Sequence, residues 1–139
     1  MTAAPMSSLP PCADGLRASL DGVVSALRVL RLTQVGLSEV EIHRRAADLL
    51  RQKGFAAEHE FRIAPRCRLD FWISNPGIAI EFKKGRPSKA DVVEQLGRYA
   101  ALPEVRALVL VLEQSMVLAR ETAGKPVRVV SLNANWGIC

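Results

Sequence analysis

Asp70, Glu81 and Lys83 are the residues of this sequence whose types and spacing carry the most chemistry. They lie in Arg68-Leu69-Asp70-Phe71-Trp72-Ile73 and Ile78-Ala79-Ile80-Glu81-Phe82-Lys83, two alternating runs separated by Ser74-Asn75-Pro76-Gly77. Two carboxylates brought close together repel, and a hard divalent cation with oxygen ligands relieves the repulsion. Mg²⁺ held by one or two carboxylates keeps several waters, which leaves room for a phosphate and an attacking water. A lysine beside it stabilises charge on the phosphate, or helps orient and deprotonate the water. The chemistry open to this trio is phosphodiester hydrolysis assisted by Mg²⁺ or Mn²⁺.

A β-hairpin must position the three groups. With Pro76 second and Gly77 third in the turn, type II geometry is expected, because proline fixes φ and glycine accepts the positive φ that follows. That turn predicts Asn75 opposite Ile78, Trp72 opposite Glu81 and Asp70 opposite Lys83. Paired residues point to the same side and side chains alternate along a strand. Asp70, Glu81 and Lys83 are thus expected on one face with Trp72 and Ala79. Leu69, Phe71, Ile73, Ile78, Ile80 and Phe82 are expected on the other. An E-x-K triplet alone is common on a solvated strand; the separation of a wholly apolar face from one that gathers two acids is less so.

The rest of the chain supplies the supporting elements. Residues 1–13, with Pro5, Pro10 and Pro11, lack a periodic apolar pattern and read as a flexible leader to a single domain over 14–139. Leu16, Leu20, Val23, Val24, Leu27 and Leu30 recur at helical spacing. Their apolar face suits either the core or a homodimer interface. Ser38 and Glu41 form a capping-box pair that opens a second helix ending near Gly54, with Ile42, Ala46, Leu49 and Leu50 as its buried stripe. Period-two runs from Ala56 to Phe82 predict three antiparallel strands. Ser88 and Asp91 open a further helix that ends near Pro103 and buries Val92, Leu96, Tyr99 and Ala100. Arg106 to Leu112 reads as a strand buried on both faces. Residues 116–122 suit one short helix, and Val127 to Leu132 a last strand. This order predicts a three-layer α/β domain with a central mixed β-sheet flanked by helices.

The 139 residues fit one domain, and 49% hydrophobic content is enough for a core without metal or disulfide staples. The formal charge is +5, with 14 arginines against 5 lysines, which favours a polyanionic partner because guanidinium forks match phosphate. Cys12, Cys67 and Cys139 are odd in number and far apart, which argues against a disulfide framework or structural zinc. Neither a signal peptide nor an apolar run of the roughly 18 residues that a membrane span needs is visible, so a cytoplasmic protein without membrane contact is expected. His43 and His59 have no partner at metal spacing, and no glycine-rich nucleotide loop is present.

Asp70, ten residues, then Glu81-Phe82-Lys83 on adjoining strands, followed by a helix with Gln95-Leu96-Gly97-Arg98-Tyr99, resembles the PD-(D/E)XK nucleases. That superfamily includes restriction endonucleases and small resolvase-type and phage-type nucleases, and the resemblance spans roughly residues 38–112. It implies a restriction-endonuclease-like fold and metal-dependent DNA cleavage. It also implies that Asp70, Glu81 and the backbone carbonyl of Phe82 bind Mg²⁺ or Mn²⁺ while Lys83 is catalytic. The proline of the family name is Leu69 here. Many relatives add an acid from the first helix of the motif; Glu39 is preferred for this, since helical geometry turns it toward the stripe while Glu41 has a capping role. Gln95 is expected to contact phosphate or water. Lys84, Arg86, Lys89 and Arg98, with Tyr99, are expected along a DNA backbone. The alternative is a nucleic-acid-binding or structural module that keeps the fold without cleaving.

Overall fold

The computed structural model describes residues 11–32 and 36–133. Helix α1 (Pro11–Arg28) runs into a 3₁₀ turn (Val29–Leu32), and α2 (Glu39–Gln52) follows. Three strands come next, β1 (Glu58–Ala64), β2 (Cys67–Ile73) and β3 (Ile78–Lys83), and then α3 (Lys89–Ala100). The chain continues with β4 (Ala107–Leu112), the two-residue β5 (Glu121–Thr122) and β6 (Lys125–Ser131). The six strands lie in the order β1-β2-β3-β4-β6-β5. β1, β2 and β3 pair antiparallel, whereas β4 runs parallel to both β3 and β6, so the sheet is mixed as expected.

Each face of the sheet carries its own core. On one side Leu20, Val23, Leu27 and Leu30 of the α1 segment and Ala46 and Leu50 of α2 cover Phe71, Ile73, Ile78, Ile80, Val109 and Val111. On the other, Val92, Leu96, Tyr99 and Ala100 of α3 cover Trp72, Ala79, Leu108 and Leu110. All six residues of β4 are buried, with β-branched Val109 and Val111 toward α1 and α2 and leucines toward α3, which is how a central parallel strand reads. The apolar stripe of α1 is thus spent inside the chain, as core. No helix among the described residues is long and apolar enough to cross a membrane.

Several local expectations are corrected. α1 begins at Pro11, so its first residues lie in the stretch read as leader; residues 1–10 lie outside those described. The region expected as a short helix contains β5 instead, paired with β6 through Glu121↔Pro126 and Thr122↔Lys125. Its turn is made by Ala123 (φ 52°) and Gly124 (φ 77°), a left-handed pair that closes a hairpin. On α2 the buried residues are His43, Ala46 and Leu50, so a histidine joins a stripe expected to be aliphatic. The capping box forms as expected: Glu41 N–H donates to Ser38 Oγ at 3.2 Å and Ser38 N–H to Glu41 Oε1 at 3.1 Å.

Candidate active site

The β2–β3 hairpin pairs Phe71↔Ile80, Trp72↔Ala79 and Ile73↔Ile78, a register two residues away from the expected one. The loop is therefore four residues, Ser74 to Gly77, closed by Gly77 N–H donating to Ile73 O at 2.9 Å in place of the expected two-residue turn. Tertiary contact holds the longer loop in place: Gly77 O accepts from Arg106 N at 2.7 Å and Ala107 N at 3.2 Å. Gly77 has φ 113°, and a Cβ there would lie 2.6 Å from Glu104 O, so only glycine fits. A slip of two preserves which face each side chain takes. Asp70 therefore remains on the Glu81 side, but opposite Glu81 rather than Lys83.

One side chain does change face. Leu69 packs with Tyr99 and Trp72 on the α3 side, not with Phe71. Strict alternation breaks at Asp70, across from Glu60, which lies between the pairs His59↔Phe71 and Phe61↔Leu69 and has φ 55°. At this break the β2–β3 ladder gives way to a reciprocal clamp. Asp70 N–H donates to Glu81 Oε1 at 2.8 Å, and Phe82 N–H donates to Asp70 Oδ2 at 2.7 Å. The two acids are thus fastened where the strands part, each by the other strand's backbone or side chain.

Glu81 is only 7% exposed. Burial, followed by the negative charge of Asp70, pushes its carboxyl up to about 7, against the opposing pull of the Asp70 N–H, Lys83 and Tyr99. Gln95 Nε2 and Tyr99 Oη approach Glu81 Oε2 at 3.4 and 3.5 Å, and Gln95 Nε2 donates to Tyr99 Oη at 2.9 Å. Burial and the Glu81 charge raise the Tyr99 phenol to about 12, so it stays a neutral donor. A carboxyl poised near neutrality can give or take a proton, or accept a cation once ionised. The structure therefore brings together Asp70, Glu81, Gln95 and Tyr99, residues chosen from two separate stretches of sequence.

Lys83 stands at the end of β3 and borders two hollows. One lies along α3 with Ser88, Asp91, Gln95 and Arg98; the other lies on the α2 side with Glu39, His43, Phe82 and Lys84. Glu39 is exposed and meets Lys83 only across this second hollow, while Glu41 is occupied by its cap. Arg86 lines a shallow depression with Pro87 and Gln114, and Lys89 is exposed at the start of α3. Among the described residues no group of three or more His, Cys, Asp or Glu side chains converges as a metal cage does. No family model, curated protein or solved structure matches this chain.

One residue, Glu113, and one contact, between His43 and His59, escaped the sequence reading. Glu113 follows β4 directly; its N–H donates to Lys83 O at 3.1 Å and its Oε1 accepts from Gly85 N–H at 2.6 Å, tying the end of β3 to β4. The available signal was position, since an acid just past the C-terminal end of a buried parallel strand lies where α/β sheets gather their sites. His43 and His59 meet at 2.9 Å across 16 residues, a contact that spacing alone cannot reveal.

Proposed function

We propose that the chain is a metal-dependent DNA nuclease of the PD-(D/E)XK kind, hydrolysing phosphodiester bonds on a restriction-endonuclease-like fold. The observation that carries this reading is the Asp70–Glu81 pair at the parting of β2 and β3, with a buried Glu81 raised to about 7 partly by its neighbour's charge. A structural carboxylate gains little from such a position; a ligand for a divalent cation does, because the cation offsets both burial and repulsion. Two carboxylates with the Phe82 carbonyl suit Mg²⁺ or Mn²⁺, which keep water in their remaining positions, and do not suit a closed zinc cage. When bound, the metal supplies Lewis-acid activation of phosphate and water. In this reading Asp70 and Glu81 hold it, Lys83 steadies charge on the phosphate or orients the water, and Gln95 and Tyr99 orient Glu81. Arg86, Lys89 and Arg98 sit where they can follow a DNA backbone.

One specific observation favours the other reading, a nucleic-acid-binding or structural module that does not cleave. The reciprocal clamp gives both acids a backbone partner, and so a structural reason to be there without any metal. One experiment separates the two: purified protein and its Asp70→Ala and Glu81→Ala variants on linear, circular, single-stranded, flapped and four-way DNA, with and without Mg²⁺ or Mn²⁺. Metal-dependent cleavage that both variants lose supports the nuclease. Wild-type protein that binds these DNAs without cutting any of them supports the module.

A further inference from the structure

Arg62, Arg66 and Arg68 come together at the closed end of the β1–β2 hairpin. Arg62 and Arg68 are partners across the two strands, so their side chains rise from the same face. Like charges directly opposite one another destabilise a strand pair. All three arginines are exposed, and none forms an ion pair with a described carboxylate. Nothing among the described residues therefore relieves the repulsion.

Arg66 is unusual for a second, independent reason. Ala64 pairs with Cys67, so Pro65 and Arg66 alone make the turn, and Arg66 takes its second place with φ 67°. After a proline this place favours glycine or asparagine, because a Cβ is strained at positive φ. An arginine here works against the turn that holds it. Strain kept at an exposed tip points to a side chain that serves something other than the fold.

This tip lies beside the candidate active site. β2 runs antiparallel to β3, so the Cys67 end of β2 and the Lys83 end of β3 share one end of the sheet, and their ladder stops at Phe71↔Ile80. Beyond that pair the strands part around Asp70 and Glu81. One leads to the three arginines, the other to Lys83, Lys84 and Arg86. Tyr99 Oη joins the two sides, 3.4 Å from Arg68 O and 3.5 Å from Glu81 Oε2. Arg68 is two residues from Asp70, about 7 Å along an extended strand, which matches about two phosphate steps along one DNA strand.

We propose that the closed end of the β1–β2 hairpin is a docking surface for the phosphate backbone of DNA. Phosphate oxygens between Arg62 and Arg68 offset their mutual repulsion, and Arg66 takes a neighbouring phosphate, since guanidinium forks match phosphate in pairs of hydrogen bonds. A line of regularly spaced phosphates suits cations on both sides of the parting, where one isolated anion does not. The choice of DNA over other polyanions rests on the nuclease reading; the cationic surface itself does not.

The test is a salt titration of the full chain on a short DNA duplex in EDTA, beside poly-glutamate and phosphatidylserine vesicles. The variant combines Arg62→Thr, Arg66→Gly and Arg68→Thr. Wild type should bind the duplex at least about tenfold tighter than either other polyanion. The triple variant should lose at least about tenfold in DNA affinity, and its plot of log affinity against log salt should flatten by up to about three contacts at about 0.9 units each. Its urea midpoint should equal or exceed that of wild type, because both the like-charge pair and the strained turn residue are gone, whereas arginines with a structural role would lower it. Should the triple variant fail to fold, Arg66→Gly alone, which relieves the turn, flattens the slope by about one contact. A wild-type slope in the folded variant, or poly-glutamate or vesicles bound as tightly as the duplex, overturns the proposal. Cleavage in Mg²⁺ is read separately. DNA held through the hairpin by a chain that never cleaves overturns the nuclease reading while the surface stands, and cleavage by a chain whose variant keeps the wild-type slope does the reverse.

Discussion

Glu81 is the residue whose state decides most. In the unfolded chain it ionises near its ordinary 4.5, and in the folded chain near 7. Between those values the folded state keeps a proton that the unfolded state has lost, so this group's contribution is fully present below about pH 4.5 and is lost as pH rises through about 7. The shift corresponds to on the order of 3 kcal/mol. Urea midpoints should therefore be higher at pH 5 than at pH 8. Glu81→Gln, which keeps an acceptor for the Asp70 N–H, should flatten that slope and be the more stable protein at pH 8. If Glu81 is a ligand, millimolar Mg²⁺ should raise the wild-type midpoint at pH 8 more than at pH 5 and leave Glu81→Gln unmoved. At the same scale, the nuclease reading predicts that Lys83→Ala binds metal and DNA yet cleaves at least about a hundredfold more slowly. Unchanged turnover in single-turnover assays would remove Lys83 from the chemistry.

Among the elements, the β2–β3 hairpin and α3 place the site. The hairpin's register is enforced from outside itself, by the bonds from Arg106 and Ala107 N–H to Gly77 O. Gly77→Ala would combine a φ of 113° with a Cβ driven against Glu104 O. It should cost about 2 kcal/mol or more in a urea melt and reduce cleavage as well, since the same loop sets the offset of Asp70 against Glu81. An equally stable and active Gly77→Ala protein would show that the loop does not govern the clamp. Ser38→Ala removes only one half of a solvent-exposed capping box. A loss of about 1 kcal/mol with no change in cleavage is expected there, which makes it a useful control for stability effects alone.

For the whole molecule, the proposed nuclease reading together with a charge of +5 predicts DNA binding that is steeply weakened by salt. Arg98 borders the hollow along α3 with Lys83 and Gln95, and Arg86 and Lys89 are exposed in the β3–α3 connection and at the start of α3. Replacing all three with alanine should flatten the plot of log affinity against log salt by up to about three phosphate contacts, at about 0.9 units each on duplex DNA. Affinity should fall alike on every sequence. The measurement is a salt titration in Ca²⁺, which fills a Mg²⁺ site without supporting turnover. An unaltered slope would move the DNA path to the exposed Arg44 and Arg45 side of α2.

Periodicity alone was enough for the order of the longer elements, though not for β5, and for the mixed sheet between helices, the burial of β4 on both faces and the sharing of one face by Asp70 and Glu81. Each of these follows from a repeat of 2 or 3.6 residues that survives small errors, and a slip of two in the hairpin leaves every face intact. Partner identity does not survive such a slip. That Asp70 meets Glu81 rather than Lys83, that Leu69 turns toward α3, and that the loop is four residues long were decided by contacts with Glu60, Arg106 and Glu104, which lie outside the hairpin. The raised Glu81 depends on burial beneath Tyr99 and on a neighbour's charge, and the His43–His59 bond on α2 lying against β1. Pairings between distant segments leave no period in the chain, so they became visible only once the packed layers had set their distances.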